Sequence, residues 1–213
     1  MFTGIIAALG HIERASGGAG GTDAGVQLVI DCKDLPLERV ALGDSIAVNG
    51  VCLTVTRKHG SHIEADVSAE TLRRTVGLDQ AGWVNLEPAL SLGDALGGHL
   101  VSGHVDGVGR VLAFEPRGES YLLQILAPGE LGRFFAYKGS VTVNGVSLTV
   151  NHVEDRGEGC AISINLIPHT LRATTLNALR EGSLVNLEID MIARYIERLH
   201  SLGAAPTPHP SAS

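Results

Sequence analysis

His99 and His104 stand five residues apart in the polar run HLVSGH. Histidine exchanges a proton near neutral pH, so His104 is a candidate acid–base group, although a lone histidine in a strand is more often structural. An odd spacing puts the two rings on opposite faces of a strand, so they do not read as joint ligands of one metal. No other grouping of His, Cys and Asp has zinc-site spacing. Cys52 and Ser147 each follow an Asn-Gly pair, in NGVCLTV at 49–55 and NGVSLTV at 144–150. A thiol and a hydroxyl at matching places are candidate nucleophiles or hydrogen-bonding groups. The alternative is a small core residue at Cys52, with Ser147 and Thr149 bonded to nearby backbone. Thr71 and Thr170 begin two short helical segments and read as ligand contacts or as helix caps. Lys138 reads as a pocket cation or as a solvated turn residue.

The matching places belong to a duplication. Beyond the Asn-Gly segment, TLRRT at 71–75 returns as TLRAT at 170–174, and VNLE at 84–87 returns at 185–188. Gly4 and Gly10 return as Gly103 and Gly109. The shifts, 95 to 101 residues, are the length of a small domain rather than of a solenoid repeat. Two copies of one domain imply two copies of one pocket. His104 stands where the first copy has Ile5, as an ionisable group gained by one copy would.

The elements that must position these groups are short strands. Asn-Gly between apolar runs signals a type I′ hairpin, because both residues need positive φ. Strands are expected at 1–13, 26–32, 45–56, 62–67 and 82–90, and again at 99–114, 121–126, 140–150, 160–166 and 183–189, with 45–56 and 140–150 each a strand-turn-strand. Helical turns are expected at 35–41, 68–76, 129–136 and 168–175. This pattern predicts an all-β fold of two six-stranded antiparallel Greek-key barrels, spanning 1–98 and 99–189. A glycine-rich stretch at 16–22 lacks the Lys-Ser/Thr ending of a phosphate loop and reads as a flexible hairpin loop. Residues 190–202 form an amphipathic helix, with Met191, Ile192, Tyr195, Ile196, Leu199 and Leu202 on one face. That stripe covers either its own barrel or partner subunits. The tail at 203–213 is expected to be disordered.

Composition narrows the partners. The net charge is −7 and no run of Lys or Arg occurs, which argues against nucleic acid and anionic membrane. Aromatics are 4%, so aliphatic side chains must build the cores. Three widely spaced cysteines, Cys32, Cys52 and Cys160, read as reduced thiols. The start, MFTGII, lacks the features of a signal peptide, and a cytoplasmic protein that keeps its start is expected.

The start MFTGI, the repeated NG-x-x-LTV, GGHLVSGHVDGVG at 97–109, ETL at 70–72 and IPHTL at 167–171 together resemble the riboflavin synthase alpha chain over residues 1 to about 200. The resemblance implies two lumazine-binding barrels, a homotrimer formed through the C-terminal helix, and no cofactor or metal. It implies dismutation of two molecules of 6,7-dimethyl-8-ribityllumazine by transfer of a four-carbon unit. A lumazine synthase shell is a further partner in the family. The first pocket is expected to use Gly4, Ile5, Ile6, Ser45, Cys52, Leu53, Thr54, Asp66, Val67, Ser68, Ala69, Glu70 and Thr71. The second is expected to use Gly103, His104, Lys138, Ser147, Leu148, Thr149, Ile167, Pro168, His169, Thr170, Leu171 and Arg172. The resemblance assigns His104 as the base that deprotonates the 7-methyl group, with Ser147 and Thr149 assisting. Ser45 and Cys52 are its candidates to activate or supply the nucleophile. The chain departs from the family at the glycine-rich 17–21 and at His169, where an acidic residue is common. A non-catalytic lumazine- or flavin-binding antenna protein is the rival class. A flavin reductase would need a GxGxxG nucleotide-binding half, which the chain lacks.

Overall fold

The computed structural model describes residues 1–17 and 25–203. The loop expected at 16–22 lies outside them from residue 18, and the tail expected to be disordered lies outside them from residue 204. Twelve strands form two closed antiparallel barrels. The first takes β1 (Ala8–Gly17), β2 (Val26–Asp31), β3 (Ser45–Val48), β4 (Val51–His59), β5 (His62–Val67) and β6 (Gly82–Pro88). Its order is β1-β2-β5-β4-β3-β6, and β6 pairs back onto β1. The second takes β7 (Gly107–Arg117), β8 (Ser120–Ala127), β9 (Ser140–Val143), β10 (Val146–Arg156), β11 (Gly159–Leu166) and β12 (Leu184–Ile189) in the same order, closed by β12 on β7. Closure leaves neither sheet an open edge. Alternation along each strand sends one set of side chains inward: Val51, Leu53 and Val55 fill the first core, and Val146 and Val150 the second. Both cores are overwhelmingly aliphatic, as the composition required.

The repeated Asn-Gly pairs make the expected turns. Asn49 and Gly50 have φ of 47° and 81°, and Asn144 and Gly145 have 48° and 80°. The two turns also meet back to back. A Cβ on Gly50 would lie 2.7 Å from the Gly145 nitrogen, and one on Gly145 2.7 Å from the Gly50 nitrogen. Around this contact the repeated VNLE asparagines join the barrels. Asn85 donates through Nδ2 to the Asn144 carbonyl at 2.9 Å, and Asn186 through Nδ2 to the Asn49 carbonyl at 3.1 Å. The Asn49 and Asn144 side chains accept from the Asn85 and Asn186 N–H groups. The buried polar groups at the seam are thereby paired across it.

Two expected strands are shorter than the sequence suggested. Residues 1–7 and 99–106 lie outside the first strands of their barrels; β1 begins at Ala8 and β7 at Gly107. Gly4 and Gly103, at φ of 76° and 79°, turn the backbone out of the extended path. The two segments meet instead, with Phe2 and Val101 exchanging N–H···O bonds of 2.8 and 3.1 Å. Of the expected helical turns, 35–41 and 129–136 contract to 3-10 turns at Leu37–Arg39 and Gly129–Phe134. The others are α1 (Ala69–Arg74) and α2 (Pro168–Ala173). The C-terminal helix is α3 (Met191–Gly203). Arg194 pairs with Asp106 at 2.6 Å and Glu197 with Arg133 at 3.3 Å, so the polar side of α3 holds it to the chain. Ile192, Tyr195, Ile196, Leu199 and Leu202 are exposed, so most of the apolar stripe does not pack on its own barrel.

Candidate functional site

The outward side chains of β4 and β10 floor two related sites. In β4, Cys52 and Thr54 alternate with the core residues, and in β10 Ser147 and Thr149 do the same. The segments ahead of each barrel then cross over. The Gly103 carbonyl accepts from the Cys52 N–H at 2.8 Å, and the Gly4 carbonyl accepts from the Ser147 N–H at 2.8 Å. Val105 packs on the first core and Ile6 on the second. This corrects the expected grouping. Gly103 and His104 line one pocket with Cys52 and Thr71, while Gly4 meets Ser147 and Ile6 packs on the second core. Within one chain, His104 lines its pocket beside Cys52 and Thr71, and neither Ser147 nor Thr149 is among the residues lining it.

The site on the first barrel is a pocket of about 210 Å³ lined by Cys52, Glu70, Thr71, Arg74, Gly103 and His104, among others. Thr71 is not the helix cap; Ser68 is, its hydroxyl accepting the Thr71 N–H at 3.1 Å and meeting the Thr71 hydroxyl at 3.0 Å. Thr170 does not cap α2 either: Ile167 stands at that position without a side-chain bond, and Thr174 caps the next turn. Glu70 is held by Arg73 and Arg74. Leu53 and Val67 are buried in the first core and Leu148 packs on the second, so these side chains face away from the sites. Asp66 meets Gln27 in a separate cleft with Val67. Ser45 is half-buried opposite Thr54 on the hairpin. Thr149, Ile167, Pro168, His169 and Arg172 are exposed, Leu171 leans on the second core, and Ile5 lines a separate cleft with Glu87 and Leu90. Lys138 reaches from a positive-φ turn to the Asn151 side chain at 2.9 Å. A cleft of about 700 Å³ beside Trp83 and Lys33 shares only Ile6 with the expected residues.

Three features were missed from sequence. His99, 48 residues from Ser147, bonds its hydroxyl through Nδ1 at 2.8 Å, while Nε2 is buried without a protein partner. Glu87 and Glu188 hold the crossing segments, as described below. Glu13, Asp31 and His62 bring potential ligand atoms within 4.8 Å of one another, but Lys33 already pairs with Asp31. No spacing rule links residues so far apart. The VNLE repeat was the one signal available for the glutamates.

Burial holds the His99 imidazole below its ordinary value of 6.5, against an opposing pull from Asp190. The folded chain then binds this proton more weakly than the unfolded chain. Stability contributed by neutral His99 is complete above pH 6.5 and is lost as pH falls through the lowered folded value. Urea unfolding at pH 5 to 7.5 should show wild type losing more stability on acidification than His99→Asn. Parallel curves for the two proteins would mean that His99 does not titrate in this way.

Tandem barrels of one design, each with outward polar side chains on its matching strand, define a double-barrel protein. The lumazine binding domain model matches residues 3–89 and 102–190, once per repeat. Riboflavin synthase of Photobacterium phosphoreum is 43% identical, with 93% of this chain and 88% of that protein covered. Riboflavin synthase of Brucella abortus is 42% identical, covering 93% and 98%. LumP solved with 6,7-dimethyl-8-(1'-D-ribityl)lumazine superposes with a TM-score of 0.73 at 26% identity, covering 89% of this chain and 99% of that one. LumP with riboflavin gives 0.73 at 28% identity and the same coverage. The chain belongs to the riboflavin synthase family of two-repeat lumazine-binding proteins.

Proposed function

We infer that the protein catalyses the riboflavin synthase reaction. Two molecules of 6,7-dimethyl-8-ribityllumazine dismutate, one giving a four-carbon unit to the other, to yield riboflavin and 5-amino-6-(D-ribitylamino)uracil. The two products together contain the atoms of two substrates, so the exchange requires no outside oxidant or reductant. The observation that carries the reading is the duplicated barrel, with Cys52 and Thr54 of β4 matched by Ser147 and Thr149 of β10, in a sequence 40–43% identical to three riboflavin synthases over most of its length. A reaction between two like molecules needs two like sites, and holding both reactants in register lowers the barrier by about 7–11 kcal/mol.

The repeats are taken as 1–98 and 99–189, followed by the helix at 190–202. The exposed stripe of α3 supports a homotrimer, in which the first-barrel pocket of one chain faces the second-barrel pocket of its neighbour. In that arrangement His104 meets Ser147 and Thr149 across the subunit boundary rather than within a chain. His104 is the base for the 7-methyl proton, and Cys52 and Ser45 stand on the acceptor side. Among the described residues no helix is long and apolar enough to cross a membrane.

The likeness to LumP supports an antenna-type, non-catalytic reading. Purified protein given 6,7-dimethyl-8-ribityllumazine separates the two. The enzyme forms one riboflavin for every two lumazines consumed, followed by absorbance. Stable binding without riboflavin would establish the antenna reading.

A further inference from the structure

The sites on the two barrels are wired crosswise, and the wires are two buried carboxylates. On β12, Glu188 Oε1 accepts from the Ser102 N–H at 2.7 Å and the Ser102 hydroxyl at 2.6 Å, and Oε2 accepts from the Gly103 N–H at 2.9 Å. Gly103 passes its carbonyl to the Cys52 N–H of the first barrel, and the Ser102 hydroxyl receives the His104 N–H at 3.3 Å. On β6, Glu87 repeats the pattern. Oε1 accepts from the Thr3 N–H and hydroxyl at 2.6 and 2.7 Å, and Oε2 from the Gly4 N–H at 2.9 Å. Gly4 passes its carbonyl to the Ser147 N–H of the second barrel. Both glutamates are buried, at 6% and 2% exposure, and neither lines the first-barrel pocket.

We propose that Glu87 and Glu188 are crossed positioning residues, each on the last strand of one barrel and each setting the site on the other. The reaction they would serve is the one inferred above. A carboxylate is needed because three N–H or O–H donors converge on two oxygens, and an ionised carboxyl only accepts. Glutamine keeps the shape but turns an NH₂ toward a donor, which leaves one of them unpaired. The room around the segments is too small for compensation. A Cβ on Gly103 would fall 2.7 Å from Cys52 Cβ and 2.9 Å from Phe2 Cε2, and one on Gly4 would fall 2.6 Å from Ser147 Cβ. Once a glutamate releases its segment, the opposite barrel loses a wall of its site.

Cys52 reports on this without any ligand. It is half-buried beneath Gly103, whereas Cys32 and Cys160 are buried, with burial pushing their thiols up to about 12 and about 11. In the full-length protein, Glu188→Gln should speed Cys52 alkylation by N-ethylmaleimide about tenfold or more, the factor implied by losing a hydrogen bond to a charged group. Glu87→Gln, although it lies in the same barrel as Cys52, should raise that rate severalfold less, because the segment it holds reaches Cys52 only through the Phe2 ring. Added 6,7-dimethyl-8-ribityllumazine should shield Cys52 in wild type and Glu87→Gln but fail to shield it in Glu188→Gln. Equal acceleration by both variants, acceleration by neither, or a larger effect from Glu87→Gln overturns the proposal. If Glu188→Gln does not fold, Ser102→Ala decides. It removes one donor and keeps the carboxylate, and an unchanged Cys52 rate there also overturns the wiring. A crosswise Cys52 response in a protein that makes no riboflavin would leave the wiring standing and defeat the functional reading.

Discussion

His104→Gln should lower the rate of riboflavin formation by about 10²–10⁴-fold while leaving lumazine binding within a few-fold of wild type, the range over which a positioned acid–base group contributes. The two sites are built alike, yet the chemistry requires them to differ, since one lumazine must lose a methyl proton while the other accepts a nucleophile. Aligned positions show where they differ most. The crossing segment of the second repeat carries His104 into the pocket with Cys52 and Thr71, while that of the first repeat has Ile5 at the aligned position, next to the Gly4 that meets Ser147. His104 is exposed at its pocket, and its backbone N–H is tied to Ser102, so the ring is placed without being immersed. Glutamine keeps hydrogen-bonding capacity at similar size but cannot take a proton. Steady-state turnover and fluorescence titration of the bound lumazine, run on one preparation, separate the two effects. Unchanged turnover would remove His104 from the role of base. Weakened binding with intact saturating turnover would make it a contact only.

Much of the fold was legible because the repeat is written in residues whose reasons are local. Asn49-Gly50 and Asn144-Gly145 announce positive-φ turns, and alternation marks β4, β5 and β10. Ser68, Glu70 and the following turn announce α1. The illegible part is nonlocal. Residues 1–13 read as one strand because the apolar run is continuous, and nothing in it shows that Thr3 and Gly4 are held by a carboxylate 84 and 83 residues away. Chain order likewise does not show that the segments cross at Gly4 and Gly103, so that His104 lines a pocket with Cys52. The spacing of His99 and His104 speaks only against a shared metal, and nothing in it shows that the partner of His99 is Ser147. The VNLE repeat was visible as a repeat, but its asparagine and glutamate serve different ends, the first joining the barrels and the second holding the segments that cross between them.

Phe2→Ala should cost about 3–5 kcal/mol of folding free energy, the usual penalty for truncating a fully buried phenylalanine. A second residue from the terminus would ordinarily tolerate change, because chain ends are seldom tied down. Here the end is tied. Phe2 is fully buried in a small cluster with Ala47 and Val101, and Cys52 and Ala89 pack against it. Its backbone exchanges two hydrogen bonds with Val101, so one side chain supports both crossing segments at their meeting point. Its ring edge also lies where a Cβ on Gly103 would come within 2.9 Å, directly beside the turn that delivers His104. The cavity left by alanine therefore opens beneath the first-barrel pocket as well as beneath the N-terminal segment. Urea unfolding should register the loss, and turnover measured well below the shifted midpoint should fall as well, because the segments loosen before the barrels melt. Phe2→Leu fills most of the volume and should recover the larger part of both. A loss below about 1 kcal/mol for the alanine variant, the size expected of a surface substitution, would show that the crossing segments are held without the Phe2 ring.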